Sequence, residues 1–203
     1  MADADLLFLA LCVFLLPVFL LIFLKLIVRP RLVKIPIKSC HVFITGGSSG
    51  IDLASARQAA AEGARVNILA RNLEKLEEAK TSIRLSIGID VAIVSADVCD
   101  FEAVEEAVES AGPIDVLICN QRVFAACELE NQEIKEIKGM IDVNLIGTFN
   151  LVKAALHGMK NRSDRKSVSI AFMSSQSGQV LYVCVLQAFR LSGRLVRVPE
   201  LKL

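Results

Sequence analysis

The residues Thr45-Gly46-Gly47-Ser48-Ser49-Gly50-Ile51-Asp52 follow a short apolar run and open an amphipathic stretch. Small residues at such a junction let the backbone approach a pyrophosphate, and the first amides of a helix offer it unpaired N–H groups. An ordinary tight strand-to-helix connection has the same composition, so a second signal is needed. It comes where Ala70-Arg71-Asn72 closes the next apolar run, the place at which dinucleotide folds choose their ribose partner. An acidic residue there accepts from a ribose 2′-OH. Arg71 pairs instead with a 2′-phosphate, which favours NADPH over NADH; a solvated arginine at a helix start is the other reading.

Positioning these groups requires alternating elements. Apolar runs at 41–44, 66–70, 91–94, 116–119 and 168–172 predict five buried strands, and helical patterns lie between them. Ile51–Glu62 stops at Gly63, Leu73–Ile87 carries Glu74, Lys75, Glu77, Glu78 and Lys80 on its wet face, and Phe101–Ser110 ends before Gly112-Pro113. A long helix is expected over Ile141–Lys160. The alternation means βαβ units, an α/β fold with a Rossmann-like, doubly wound parallel sheet. The pattern after Val180 suits neither a clean strand nor a helix.

The 203 residues are 54% hydrophobic with mean hydropathy +0.53, too apolar for an ordinary soluble domain unless the excess is concentrated. It is concentrated at the front. Residues 6–28 are interrupted by Pro17 and Lys25 alone, long enough to cross a hydrocarbon core about 30 Å thick. A cleaved signal peptide is the alternative, but it carries a basic start and a small-residue cleavage site. Here Asp3 and Asp5 precede the segment and Arg29, Arg31, Lys34 and Lys38 follow it, which keeps the remainder on the cytosolic side. The expected organisation is a membrane anchor (1–28), a basic tether (29–39), a dinucleotide domain (40–180) and a tail (181–203). A net charge of +1 with no separate basic stripe argues against a nucleic-acid partner. Six cysteines without a CxxC pair read as small apolar residues, and no metal site is suggested.

Together, Thr45 to Ile51, Leu69 to Asn72, Ala96-Asp97-Val98, Ile118 to Gln121, Met140 to Asn144 and Ser174 to Val180 stand in the order and spacing of one family. The chain resembles the short-chain dehydrogenase/reductases and, within them, the 3-ketosphinganine (3-dehydrosphinganine) reductases, notably the plant form. The resemblance implies hydride transfer from NADPH to the C3 ketone of 3-ketosphinganine, giving sphinganine, at the cytosolic face of the endoplasmic reticulum membrane. It implies cofactor contacts from Thr45, Gly46, Ser48, Ser49, Gly50, Ile51, Arg71, Asp97 (near the adenine), Val98 and Asn120 (beside the ribose). Asn144 matches the family's active-site asparagine. Ser175 is the catalytic serine by its spacing, with Ser174 as the alternative.

The chemistry explains the residue types. Hydride addition puts negative charge on the carbonyl oxygen, so a serine hydroxyl donates to it and a tyrosine hydroxyl delivers a proton. A phenol with pKa near 10 exchanges poorly at neutral pH, and the family lowers it with a lysine four residues later. Counting thirteen residues from Ser175 puts the tyrosine at Ala188, and four more put the lysine at Ser192. Neither does that work, and Tyr182, the one tyrosine, lies six residues too early. Two further departures are Asp52, in the last glycine position of the turn, where a carboxylate opposes a pyrophosphate, and Arg122, in place of a small residue beside the nicotinamide.

The family's sheet continues with a helix and two further strands, so the fifth strand is expected to form an incomplete edge. Two classes of function follow: a reductase of a lipid ketone, or a non-catalytic membrane-anchored Rossmann protein that binds nucleotide or pairs with a full-length reductase. A homo-oligomer is a further expectation of the resemblance.

Overall fold

The computed structural model describes residues 2–27, 36–125, 129–162 and 167–173. The expectations for Ser174, Ser175, Tyr182 and the tail lie outside the described residues. The chain divides into two units, Met1–Ile35 and Pro36–Leu203.

The first unit holds one helix, α1 (Ala2–Ile27), of 26 residues with Pro17 inside it. Its described side chains are apolar and exposed, among them Leu16, Phe19 and Leu21, and the rings of Phe19 and Phe23 stack at 6.3 Å. Among the described residues no helix is long and apolar enough to cross a membrane. The described side chains of α1 cover only part of 13–27, short of the roughly 20 residues that a bilayer core takes.

In the second unit the order is β1 (His41–Thr45), α2 (Gly50–Ala61), β2 (Arg65–Ala70), α3 (Leu73–Ile87), β3 (Ala92–Ser95), α4 (Phe101–Ala111), β4 (Val116–Cys119), a 3₁₀ turn (Leu129–Asn131), α5 (Ile134–Ile141), a π-helical turn (Asp142–Ile146), α6 (Gly147–Lys160) and β5 (Ser169–Phe172). The strands are all parallel, in the order β3-β2-β1-β4-β5. The strand order reverses its direction of growth between β1 and β4, and a parallel sheet of this kind places its ligand crevice at such a switch point, outside the carboxyl ends of the strands.

Alternate strand residues feed two cores. Phe43, Leu69, Leu117 and Ile170 point to one face, under Val104 and Ala107 of α4 and Leu151, Ala155 and Met159 of α6. Val42, Ile44, Val66, Ile68 and Val116 point to the other, under Ala56, Ala59 and Ala60 of α2 and Leu76, Ala79 and Ile83 of α3. The alanines of α2 are what let it lie close to the sheet. Helix α3 is bounded by its own sequence: the Asn72 side chain accepts from the Lys75 amide at 2.9 Å, and Gly88 closes the helix in the left-handed region with φ 72°.

At the amino ends of the strands, far along the sheet from the crevice, a buried polar cluster ties three elements. Asp115 accepts from the His41 amide at 2.5 Å and pairs with Arg162 at 2.5 Å, and Arg162 also donates to the Ile114 carbonyl at 2.9 Å. The tie fixes the start of β1 and of β4 against the segment that follows α6.

The long helix expected over 141–160 begins earlier and is interrupted. Helix α5 starts at Ile134, and the π-helical turn separates it from α6. Such one-turn widenings are rare and favour functional sites. Here it centres on Asn144, buried at 6% exposure.

Candidate functional site

The turn after β1 is shaped by close approach. Gly46 has φ 78°, which disfavours a side chain, and a Cβ there would stand 2.9 Å from Oδ2 of Asp52 and 3.4 Å from the Asn120 carbonyl oxygen. At Gly47 a Cβ would meet the Ile68 side chain at 2.6 Å. The turn is therefore drawn down onto β2 and β4. Ser49 is the N-cap of α2 in an extended conformation whose side chain makes no capping bond, and Gly50 and Ile51 begin the helix. Its first amides face the crevice side with no side-chain cap, the donor set that a pyrophosphate takes.

Around this turn the loops that follow β2, β3 and β4 bring in the other expected residues. Arg71 leaves β2, and its carbonyl accepts from the Ser95 hydroxyl at 3.0 Å. The Arg71 guanidinium lies 3.9 Å from Asp97, a pair in which both side chains are largely exposed, so it costs little to separate. Asp97 also accepts from the Cys99 amide at 3.0 Å. Burial first, and then the Asp97 carboxylate, push the Cys99 thiol up to about 11. Val98 is buried, its side chain packs against Gly147 at the start of α6, and its carbonyl accepts from Asn150 at 2.9 Å.

Past β4 the geometry becomes a network. The Thr45 hydroxyl, fully buried, accepts from the Asn120 amide at 3.1 Å and donates to Gln121 Oε1 at 2.5 Å. Gln121 Nε2 donates to the Thr148 hydroxyl at 2.8 Å, and that hydroxyl donates to the Asn144 carbonyl at 2.8 Å. Asn144 in turn holds Val123 through two hydrogen bonds. The network runs from the end of β1 to the start of α6 and rigidifies the segment 120–123. Sequence reading named Thr45, Asn120 and Asn144 but not Thr148 as members. The available signal was Thr148's place four residues after Asn144, where a threonine hydroxyl reaches back to a helical carbonyl.

Thr45 and Asn120 stand at or just past the carboxyl ends of β1 and β4, Gly46, Ser49, Gly50 and Ile51 in the turn and first residues of α2, Asn144 in the π-helical turn, and Arg71, Asp97 and Val98 in the loops that follow β2 and β3. Asp52 is buried, at 8% exposure, and its carboxylate accepts from the Asn120 side-chain amide. Burial raises its pKa above 3.8, while the Asn120 hydrogen bond and the charge of Arg122 pull in the opposite direction.

A glycine turn that a Cβ would fill, uncapped helix amides and a basic residue at the β2 terminus fit a phosphorylated dinucleotide. The chain is also similar to known proteins. Over 159 residues the chain is 61% identical to 3-dehydrosphinganine reductase TSC10B of Arabidopsis thaliana, covering 78% of this chain and 48% of that protein. It is 32% identical over 174 residues to 3-dehydrosphinganine reductase of Danio rerio, covering 80% and 50%. The chain thus spans about half the length of the curated relatives it matches. Among solved structures it resembles a short chain dehydrogenase/reductase family protein, with TM-score 0.67 and 28% identity over 78% of this chain and 64% of that one. A short chain dehydrogenase of Escherichia coli complexed with NADPH shares the fold, with TM-score 0.68 and 24% identity over 77% and 67%. The sequence pattern of short chain dehydrogenases covers residues 40–186, which takes in every strand of the sheet, and on that extent this chain belongs to the short chain dehydrogenase family.

Proposed function

We propose that this chain is an NADPH-dependent reductase of the 3-ketosphinganine type, acting on a lipid ketone from a membrane-anchored position. The observation that carries the cofactor choice is Arg71 at the carboxyl end of β2, beside the glycine turn and paired only loosely with Asp97. Its guanidinium is free to turn to a 2′-phosphate. The 61% identity to a plant 3-dehydrosphinganine reductase supports the substrate class.

In this reading the turn 45–51 holds the pyrophosphate, Asp97 and Val98 border the adenine, and Asn120 stands beside the ribose. The cofactor supplies a hydride when bound. Ser175 donates a hydrogen bond to the ketone oxygen, with Ser174 as its alternative, and Asn144 keeps the wall of the crevice in place through Val123. The apolar run 6–28, as long in sequence as a hydrocarbon core about 30 Å thick requires, anchors the domain at the endoplasmic reticulum membrane with its catalytic face to the cytosol. The basic residues after 28 favour that orientation.

A specific observation favours a second reading, in which the chain binds nucleotide or pairs with a full-length reductase without turning over. Positions 188 and 192, where the family pattern calls for tyrosine and lysine, hold Ala188 and Ser192. The full chain in detergent, given NADPH and 3-ketosphinganine, separates the two. Sphinganine above a heat-denatured control supports the reductase. Saturable NADPH binding with no sphinganine supports the second reading; no binding at all overturns the reductase and the nucleotide-binding form of the second reading, and failure to co-purify with a full-length reductase overturns its pairing form. Extraction of endoplasmic reticulum membranes at alkaline pH tests the anchor, since release of the chain into the supernatant would contradict it.

A further inference from the structure

The side chain of Gln121 bridges the carboxyl end of β1 and the start of α6, and its two amide ends are told apart by their partners. Oε1 accepts from the Thr45 hydroxyl at 2.5 Å, which leaves Nε2 to donate to the Thr148 hydroxyl at 2.8 Å. The Thr148 proton then goes to the Asn144 carbonyl, also at 2.8 Å. Every donor in this series points the same way, from the strand toward the π-helical turn.

The two hydroxyls do not need Gln121 for their own satisfaction. Thr45 has a second acceptor in the Ile118 carbonyl at 3.2 Å, and it accepts from the Asn120 amide at 3.1 Å with or without the bridge. Thr148 keeps the Asn144 carbonyl. Removing the bridge therefore strands no buried donor, the circumstance in which a lost hydrogen bond costs most. What it removes is a fixed span from Thr45 to Thr148, set by two hydrogen bonds to one planar amide.

That span stands across the switch point from Arg71, which leaves the end of β2. A dinucleotide lies across such a point, so with its 2′-phosphate at Arg71 its nicotinamide half extends over the ends of β1 and β4. We infer that Gln121 is a positioning residue for the nicotinamide half, acting through Thr45 and Thr148 rather than by contact with the cofactor. It holds the turn that begins at Thr45 at a set distance from the wall that Asn144 supports through Val123. This rests on the cofactor reading above and deepens it.

The test compares two ligands on the full chain in detergent by calorimetry: NADP⁺, and adenosine 2′,5′-bisphosphate, which has the adenine and the 2′-phosphate but no nicotinamide half. Gln121→Met keeps the side-chain length and removes both hydrogen bonds. It is expected to weaken NADP⁺ binding about tenfold and bisphosphate binding less than about twofold. Proportionate loss of both ligands, which a merely structural role would give, overturns the inference, and so does loss of neither. Thr148→Val cuts the same bridge at its far end. It is expected to reproduce the selective loss alone and to add less than about twofold on top of Gln121→Met, whereas additive losses overturn the inference. Should Gln121→Met fail to fold, Thr148→Val decides by itself, since any result other than a selective loss of NADP⁺ overturns the inference. If the unaltered chain binds the bisphosphate but not NADP⁺, the role of Gln121 falls while the 2′-phosphate reading at Arg71 stands. If it binds neither, the cofactor reading falls and the inference falls with it.

Discussion

Asn144 grips Val123 with both ends of its amide, Oδ1 accepting from the Val123 N–H and Nδ2 donating to the Val123 carbonyl, each at 2.9 Å. Two backbone groups of the loop after β4 thereby take their partners from one buried side chain in the π-helical turn. Replacing it leaves both unsatisfied. Asn144→Ala is expected to destabilise the domain by about 2–4 kcal/mol, roughly one unsatisfied buried group for each bond lost. Urea denaturation measures this, and a change below about 1 kcal/mol would show that water replaces the amide.

The Asp115–Arg162 pair makes a sharper demand, because both side chains are less than a tenth exposed. Arg162→Met removes the cation and strands the carboxylate, with an expected loss of about 3–5 kcal/mol. Exchanging both residues for apolar ones of similar size is expected to recover much of it. A single variant as stable as the unaltered protein would mean that the pair contributes nothing.

Arg71 is the residue on which cofactor choice turns. Arg71→Ala is expected to weaken NADP⁺ binding about tenfold and leave NAD⁺ binding within about twofold, since only the former carries the 2′-phosphate. Equal losses for both would assign Arg71 to the loop and not to the ligand.

Asp52 gives a pH signature whose sign follows from its environment. Burial holds its carboxyl above 3.8 in the folded protein. The protonated form is thus favoured by folding, and the stability it supplies is full below 3.8 and is lost as pH rises through the folded midpoint. Asp52→Asn is therefore expected to melt higher than the unaltered protein at neutral pH, with the gap closing as pH falls toward 3.8. A gap that does not vary with pH would rule out titration of Asp52 as its source.

Cys99 is exposed yet held up to about 11 against an ordinary 9.0. Its thiolate fraction at neutral pH is then about a hundredfold below that of a free thiol. Alkylation by iodoacetamide, followed by peptide mass spectrometry, is expected to be slower by about that factor. Cys119, buried and pushed up to about 12, should not react until the domain unfolds.

How far the sequence revealed all this depended on where the determining contacts lie. The ends of α3 were legible to the residue because Asn72 and Gly88 cap it locally. Strand β4 was legible as a bare apolar run between Asp115 and Asn120. Strand β3 begins one residue later than the apolar run, at Ala92, because its pairing with β2 starts opposite Asn67. Helix α5 was missed, since Ile134, Ile137 and Ile141 are set among charged residues and Gly139 lowers helical propensity. The inward turn of Asp52 was not legible at all, because its partner Asn120 is 68 residues away.

The π-helical turn has a further effect. A helix advances about 100° per residue, and this turn carries one residue more than a regular one. It thereby sets the azimuth of everything after it: Leu151, Ala155 and Met159 meet the sheet because that surplus residue is there. Deleting a single residue between 142 and 146 would swing this apolar stripe aside and bring the polar flank of α6 against the strands. The widening thus serves as the indexing step that aligns the downstream helix with its core.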